Sequence, residues 1–225
     1  MNWQQFWNDK GINISAQEQV ARVLKGEPMK EDLLAKIAAK VSVQLELKKE
    51  DKLLDICCGN GALTKLLLPY CDEIVAVDFS EKLIDNAKQF GSNRIQFICE
   101  NATEFSLNQS FDKVLLYFSF QYFESYEEGK QVITNLIKHA RSGAIILIGD
   151  ITDKRHFFNY YNSPKKLFHW IKQRLINKND MGKFWHPNEL LKICDELNVE
   201  GTVIKQELWQ PYAHYRFDFI IKTNS

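Results

Sequence analysis

The sequence predicts an α/β fold, a mostly parallel sheet with helices on both faces. Two segments, 52–68 and 73–88, each begin with a short apolar run and continue with apolar residues at helical spacing, the pattern of a strand followed by a helix. The run 144–150 is almost continuously apolar, which is typical of parallel strands covered on both faces. Strands that alternate with helices in this way favour one parallel sheet.

Length and charge limit the classes of function. The 225 residues include 29 Lys and Arg and 29 Asp and Glu, a formal net charge of zero. This length predicts a single domain, and the balanced charge provides no general attraction to nucleic acid or to an anionic membrane. Because no apolar stretch has the length of a membrane span or the features of a signal peptide, we expect a cytoplasmic protein with neither partner.

Cysteine usage predicts neither a disulfide framework nor a metal site. Five cysteines are an odd number in a chain of this size. Cys57 and Cys58 are adjacent and have no histidine or second cysteine pair at the spacing that zinc requires. We therefore predict no bound metal.

The N-terminal segment predicts three helices. The first covers Asn2 to Asp9. Ser15 and Glu18 fit a capping box for the second, which Gly26 would end, and Pro28 would begin the third. No part of this segment indicates a separate domain.

The glycine-containing turn between the first strand and its helix is the strongest indication of a binding site. The segment reads DICCGNG, from Asp55 through Cys57 and Gly59 to Gly61. Glycine accepts backbone angles closed to other residues and lets a ligand approach the main chain. The N–H groups of the following helix can bind a polar or negative ligand group.

The second strand identifies the ligand class as a nucleoside. Asp78 ends that strand, on the order of 20 residues after the turn, where nucleotide-binding βαβ units place an acid for the ribose. Ser80 is predicted to cap the next helix. A dinucleotide is less favoured, because Thr64 stands where the full fingerprint has its third glycine.

The remaining elements continue the alternation. Strands are predicted over 94–99 and 113–120, and Ser125 with Glu128 forms a second capping box. The strand 144–150 ends at Asp150. Near the C-terminus, a helix begins at Pro187, and strands follow over 203–209 and 215–221.

The segment 151–186 interrupts this pattern with basic and aromatic residues. Its cations include Lys178 and its acids include Asp180. A helix beginning at Pro164 carries an apolar face that includes Phe168 and Leu175. We predict a substrate cap that favours an anionic or aromatic acceptor; the alternative is a solvated basic surface above an ordinary apolar stripe.

These motifs together resemble the class I S-adenosylmethionine-dependent methyltransferases over residues 50–150. The segment DICCGNG is similar to motif I of that family in a Cys-Cys-Gly-x-Gly variant, and Asp78 matches the acid that holds the ribose hydroxyls. Asn101 and Ala102 stand at the positions that contact the adenine, with an amide in place of the usual acid. The resemblance implies a Rossmann-like sheet of seven strands, mostly parallel, with an antiparallel last strand.

The resemblance also implies a role for each segment. Residues 1–48 would form a helical lid, 49–150 the S-adenosylmethionine-binding core, 151–186 the substrate cap, and 187–225 the closing helix and strands. The implied cofactor-binding residues are Asp55, Cys57, Gly59, Gly61, Asp78, Phe79, Asn101, Ala102, Tyr117 and Phe118. The expected acceptor contacts are Gln121, Tyr122, Tyr161 and Arg22, with Trp3 and Trp7 as further lid residues.

Methyl transfer requires alignment and desolvation, and a general base only where the acceptor must lose a proton. The candidate bases are His186, His214, Tyr160 and Asp150, and the sequence does not choose among them. We expect methylation of a small molecule, at oxygen slightly ahead of nitrogen, by a monomer or homodimer. The alternatives are a methyltransferase-like regulatory subunit without turnover and a nicotinamide-dependent oxidoreductase.

Overall fold

The computed structural model describes residues 2–12, 15–24, 26–89, 92–176 and 181–224. Lys178 and Asp180 of the basic segment lie outside these ranges. None of the helices that the structure describes combines the length and the apolar character that crossing a membrane requires.

A single seven-stranded sheet organises the fold, in the order β5-β4-β3-β6-β7-β9-β8. Neighbouring strands from β5 to β7 are parallel, and β9 runs antiparallel to both β7 and β8. The predicted Rossmann-like sheet with an antiparallel last strand is confirmed. The strands are β3 (Lys52–Ile56), β4 (Glu73–Asp78), β5 (Ile95–Cys99), β6 (Phe111–Tyr117), β7 (Ala140–Thr152), β8 (Glu200–Lys205) and β9 (Arg216–Lys222).

Two apolar cores cover the two faces of this sheet. Successive residues of β3 point to opposite faces, so Leu53 belongs to one core and Leu54 to the other. The helices are α1 (Trp3–Lys10), α2 (Ala16–Gln19), α3 (Glu31–Gln44), α4 (Ala62–Leu67), α5 (Glu81–Lys88), α6 (Tyr126–His139), α7 (Phe157–Tyr160), α8 (Pro164–Leu175) and α9 (Pro187–Glu196).

Two predicted helix caps are confirmed. The Ser80 side chain accepts a hydrogen bond from the Leu83 N–H at the start of α5. Ser125 and Glu128 form a reciprocal capping box at the start of α6. Both caps orient helices that follow strands of the site.

The predicted helix between Ser15 and Gly26 is wrong. Helix α2 ends at Gln19, no side-chain cap forms at Ser15, and a short hairpin of β1 (Val23–Leu24) and β2 (Glu27–Pro28) replaces the rest. Ala21 and Gly26 have φ angles of 51° and 89°, which end the helix and reverse the chain. Pro28 therefore lies in a strand, and α3 begins at Glu31.

Two further expectations need correction. The apolar face of α8 points outward, since Phe168 and Leu175 are 70% and 80% exposed, whereas Trp170 packs inward against Phe157 at 5.2 Å between ring centroids. Strand β8 ends at Lys205 and not at residue 209, because the Gln206 side chain turns inward to bind two carboxylates.

Candidate functional site

The turn between β3 and α4 forms the floor of a cavity at the carboxyl edge of the sheet. Cys57, Gly59 and Gly61 all have left-handed φ angles, of 58°, 60° and 70°. A Cβ atom on Gly59 would lie 2.8 Å from Val20, and one on Gly61 would lie 2.9 Å from the Phe97 ring. These two positions therefore require glycine for space as well as for backbone conformation.

Asp78 closes the turn from the neighbouring strand. Its Oδ2 accepts a hydrogen bond from the Gly59 N–H at 2.8 Å, and its Oδ1 accepts one from the Ser80 N–H at 2.9 Å. Burial raises the pKa of Asp78 to about 6, although these two N–H donors oppose the shift. Near neutral pH the cavity therefore contains a carboxylate with lone pairs left for ligand hydroxyl groups.

The loop after β5 forms the far wall. Both Asn101 and Ala102 line the cavity. The Asn101 Oδ1 atom already accepts hydrogen bonds from the Thr103 N–H and hydroxyl, at 3.0 and 2.9 Å. Both of its lone pairs are thus engaged, and the amide presents Nδ2 as a donor, whereas the ionised acid usual at this position can only accept.

Arg22 reaches the cavity from the N-terminal hairpin, although it is only 7% exposed. Its guanidinium carbon lies 4.8 Å from the centroid of the Phe118 ring. The Nε and Nη1 atoms have no hydrogen-bond partner among the described residues, which is costly for a buried cation. Burial lowers the pKa of Arg22 to about 10, so the group is charged at neutral pH and can bind an anion.

Aromatic side chains cover the cavity from the N-terminal side. The ring of Tyr122 lies 4.5 Å from Trp3 and 5.3 Å from Trp7, and all three line the cavity. The Trp3 Nε1 atom donates to Glu124 Oε1 at 3.0 Å. Helix α1 is therefore attached to the rest of the fold over the cavity opening.

A buried ion pair lies at the end of β7. Asp150 has a φ of 59° at an irregularity in the β7–β9 pairing, and its Oδ2 lies 2.9 Å from Arg216 Nη1. The Gln206 amide donates to Asp150 Oδ1 at 3.1 Å and to Asp218 Oδ1 at 2.8 Å. Burial raises the pKa of Asp150 to about 6, against the effect of Arg216. Arg216 also interacts electrostatically with Tyr122, which lines the cavity, so the pair lies near the Tyr122 side of the cavity without lining it.

Residues 54–148 match the protein family described as "Methyltransferase domain". This stretch includes the turn, Asp78 and the loop after β5, which form the cavity described above. Residues 54–148 are therefore a methyltransferase domain, and the sheet has the fold of the class I S-adenosylmethionine-dependent methyltransferases.

The methyltransferase is similar to two curated proteins described as malonyl-[acyl-carrier protein] O-methyltransferases. That of Acetivibrio thermocellus is 29% identical over 205 residues, which are 84% of this chain and 70% of the relative. That of Priestia megaterium is 28% identical over 155 residues, or 67% of this chain, and the match spans only about half of that relative, 54%. Among solved structures, the N-methyltransferase NodS of Bradyrhizobium japonicum in complex with S-adenosyl-L-homocysteine has the same fold, with a TM-score of 0.68, 15% identity and full coverage of both chains.

The methyltransferase structure brings most of the predicted donor residues together. Those that line the cavity are Cys57, Gly59, Asp78, Phe79, Asn101, Ala102 and Phe118, together with Arg22 and Tyr122 from the predicted acceptor set. Glu100 and Ser119 also line it, and neither belongs to the predicted site residues. Glu100 had a visible signal, because it is an acid directly before Asn101 at the end of β5.

Other predicted donor residues support the site from behind. Asp55 is buried, and its Oδ2 accepts a hydrogen bond from the Thr64 hydroxyl at 2.6 Å. Burial raises the pKa of Asp55 to about 7. Gly61 directly precedes α4. Tyr117 points away from the cavity, and its hydroxyl oxygen accepts a hydrogen bond from Gln210 Nε2 at 3.3 Å.

The remaining predicted acceptor and base residues do not line this cavity. Gln121 donates to the Phe118 carbonyl oxygen at 2.7 Å. His186 caps α9 by accepting from the Asn188 N–H at 3.2 Å. Tyr160, Tyr161 and His214 belong to an aromatic cluster around Tyr215 and Phe157, and Asp150 is bound to Arg216.

Proposed function

We propose that this methyltransferase binds S-adenosylmethionine in the cavity between Asp78 and Arg22 and methylates an oxygen atom, most favourably a carboxylate oxygen, of a small-molecule acceptor. The observation that carries the proposal is the pair of opposite charges along one cavity. One is the carboxylate at the glycine turn, and the other is the Arg22 guanidinium beside Phe118, whose Nε and Nη1 atoms have no hydrogen-bond partner among the described residues. The donor has hydroxyl groups at its ribose and a carboxylate at its amino-acid end, so its two ends complement these two groups.

Each part of the cavity has a role in this arrangement. The Asp78 carboxylate accepts the ribose hydroxyls, and Asn101 Nδ2 donates to a ring nitrogen of the adenine. Arg22 binds the amino-acid carboxylate with its Nε and Nη1 groups, which no described side chain or carbonyl engages. When bound, S-adenosylmethionine supplies an electrophilic methyl group on a sulfonium. The electron-rich face of the Phe118 ring favours that positive charge.

The chain contributes alignment and exclusion of water to the methyl transfer. Trp3, Trp7 and Tyr122 cover the opening, so the acceptor oxygen would meet the methyl group in a site with little solvent. We assign the face beyond Tyr122, where Asp150 and Arg216 lie, to the acceptor.

Two observations support oxygen as the acceptor atom. The described residues that line the cavity include no histidine, and a carboxylate acceptor has no proton to lose, so it needs no general base. The Acetivibrio and Priestia relatives are named as malonyl-[acyl-carrier protein] O-methyltransferases, and a malonyl group ends in a carboxylate.

The test is methyl transfer from radiolabelled S-adenosylmethionine to a panel of small carboxylic acids, alcohols and amines. Methylation of a carboxylate predicts product label that alkali releases as volatile methanol. Label on the carboxylic acids that resists alkali would contradict a carboxylate oxygen, and label that appears with amines alone would contradict oxygen as the acceptor atom. Binding of S-adenosylhomocysteine without turnover on any member of the panel, offered free or attached to a carrier protein, would favour the regulatory alternative.

A further inference from the structure

Helix α8 presents an apolar face that no part of the described chain covers. Phe168, Ile171 and Leu175 are 70%, 45% and 80% exposed. Ile171 follows Phe168 by three positions and Leu175 follows Ile171 by four, so the three side chains share one side of the helix. Phe158 in the neighbouring helix α7 is also 71% exposed. Large apolar side chains grouped in this way on a surface mark an interaction site.

The inward side of α8 fixes this orientation. The Trp170 ring packs against Phe157 and Tyr161, at centroid distances of 5.2 and 6.0 Å. The Arg174 guanidinium lies 5.6 Å from the centroid of Trp170, and Lys166 Nζ donates to the Tyr160 carbonyl oxygen at 2.9 Å. Because these residues hold α8 from below, its outward face remains available to a partner.

The outward face is also positively charged. The described segment 154–176 contains six Lys and Arg residues and no Asp or Glu, although the whole chain has a net charge of zero. Lys165 and Lys172 stand three positions before and four after Phe168, on the same side of the helix. Neither forms an ion pair with the described residues.

Aromatic contacts connect this helix to the acceptor side of the site. Beneath Trp170, Phe157 lies 5.0 Å from Phe184, and Tyr160 lies 4.9 Å from Tyr215 between centroids. Tyr215 is the direct neighbour of Arg216, the partner of Asp150. A molecule bound on α8 would therefore lie against the elements that surround the proposed acceptor site.

We infer that α8 is the docking surface for an acidic helical protein domain that carries the acceptor. The lysines lie beside the apolar residues on the same outward side of the helix, and this arrangement matches a protein surface of neighbouring acidic and apolar side chains. A bilayer instead favours a continuous apolar stripe with cations on the polar side. The inference rests on the proposed function for the identity of the carried group as the methyl acceptor. The docking itself is measured without methyl transfer.

The experiment titrates the full chain with apo acyl carrier protein, a small acidic helical protein, and follows binding by NMR or fluorescence anisotropy at low salt. The expected result is saturable binding that weakens as salt is raised. The double charge reversal Lys165→Glu/Lys172→Glu should weaken it by at least tenfold, and Phe168→Ser/Leu175→Ser should weaken it without changing the salt dependence.

The matched control is Lys48→Glu/Lys88→Glu, which makes the same change in net charge at exposed lysines outside the basic segment. Equal weakening by the control, or no binding by the unmodified chain, overturns the proposal. Binding of anionic phospholipid vesicles that depends on α8, without carrier binding, replaces it with a membrane surface. Every variant should bind S-adenosylhomocysteine with unchanged affinity in calorimetry. If the unmodified chain does not bind S-adenosylhomocysteine, the proposed function fails, whatever the docking experiment shows.

Discussion

The substitution Asp78→Asn tests the assignment of the nucleoside site. It preserves the size of the side chain but removes the negative charge that faces the cavity between the Gly59 and Ser80 N–H groups. A hydrogen bond to a charged group contributes about 1.5 to 3 kcal/mol, so we expect the affinity for S-adenosylhomocysteine to fall about 10-fold to 150-fold. Calorimetry at pH 8 measures the change, with Asp72→Asn as a matched substitution of an exposed carboxylate.

The pH dependence gives this prediction a second readout. Burial raises the pKa of Asp78 to about 6, so the carboxylate gains a proton and loses its charge as the pH falls below that value. If only the ionised form binds the ribose well, the affinity at pH 5 should be about tenfold lower than at pH 8. Asp55 and Asp150 titrate in the same range, so the diagnostic quantity is the part of the pH dependence that Asp78→Asn removes. An affinity within twofold of the unmodified chain, with an unchanged pH profile, would refute the placement of the ribose.

Three further substitutions test other parts of the site and fold. Arg22→Met should weaken S-adenosylhomocysteine binding by about 1.5 to 3 kcal/mol in calorimetry. The affinity for 5′-methylthioadenosine, which lacks the amino-acid end, should stay the same. Equal losses for both ligands would contradict the assignment of Arg22 to the amino-acid carboxylate. Phe118→Leu should lower the affinity for S-adenosylmethionine by about 0.5 to 2 kcal/mol relative to S-adenosylhomocysteine, whose sulfur carries no charge. An unchanged ratio of the two affinities would exclude a contact between the Phe118 ring and the sulfonium. Gly149→Ala should lower the free energy of unfolding in urea by about 1 to 3 kcal/mol, because its Cβ would lie 2.0 Å from the Tyr117 ring; full stability would show that Tyr117 moves freely.

The sheet and the donor turn were predictable because their signals are local. A strand, a glycine turn and a helix follow one another within 52–68, and Asp78 ends the next strand at the expected distance. The Ser80 and Ser125 caps were equally visible, since a cap depends on residues only three positions apart.

The features that the sequence did not predict depend on distant contacts. Asn60 holds α2 against the glycine turn by donating to the Ala16 carbonyl oxygen at 2.7 Å, and this docking, with the reversal at Ala21, replaces the longer helix that local spacing favoured. The Asp150–Arg216 pair joins residues on different strands, which no local pattern indicates.

Helix α8 shows a second limit of periodicity. Its apolar residues recur at helical spacing, which predicts that Phe168 and Leu175 belong to an ordinary apolar stripe or to a substrate cap. Spacing identifies a shared face but not the direction in which that face points. The packing of Trp170 on Phe157 determines the direction here, and it turns the stripe outward.

A crystal structure of the chain with S-adenosylhomocysteine is the most direct test of the central claim, because it locates both ends of the donor at once. We predict ribose hydroxyls on the Asp78 carboxylate, the adenine beside Asn101, and the amino-acid carboxylate on Arg22. A ligand in the opposite direction along the cavity, or one bound away from Asp78, would contradict the assignment of the two charged ends on which the proposed function depends.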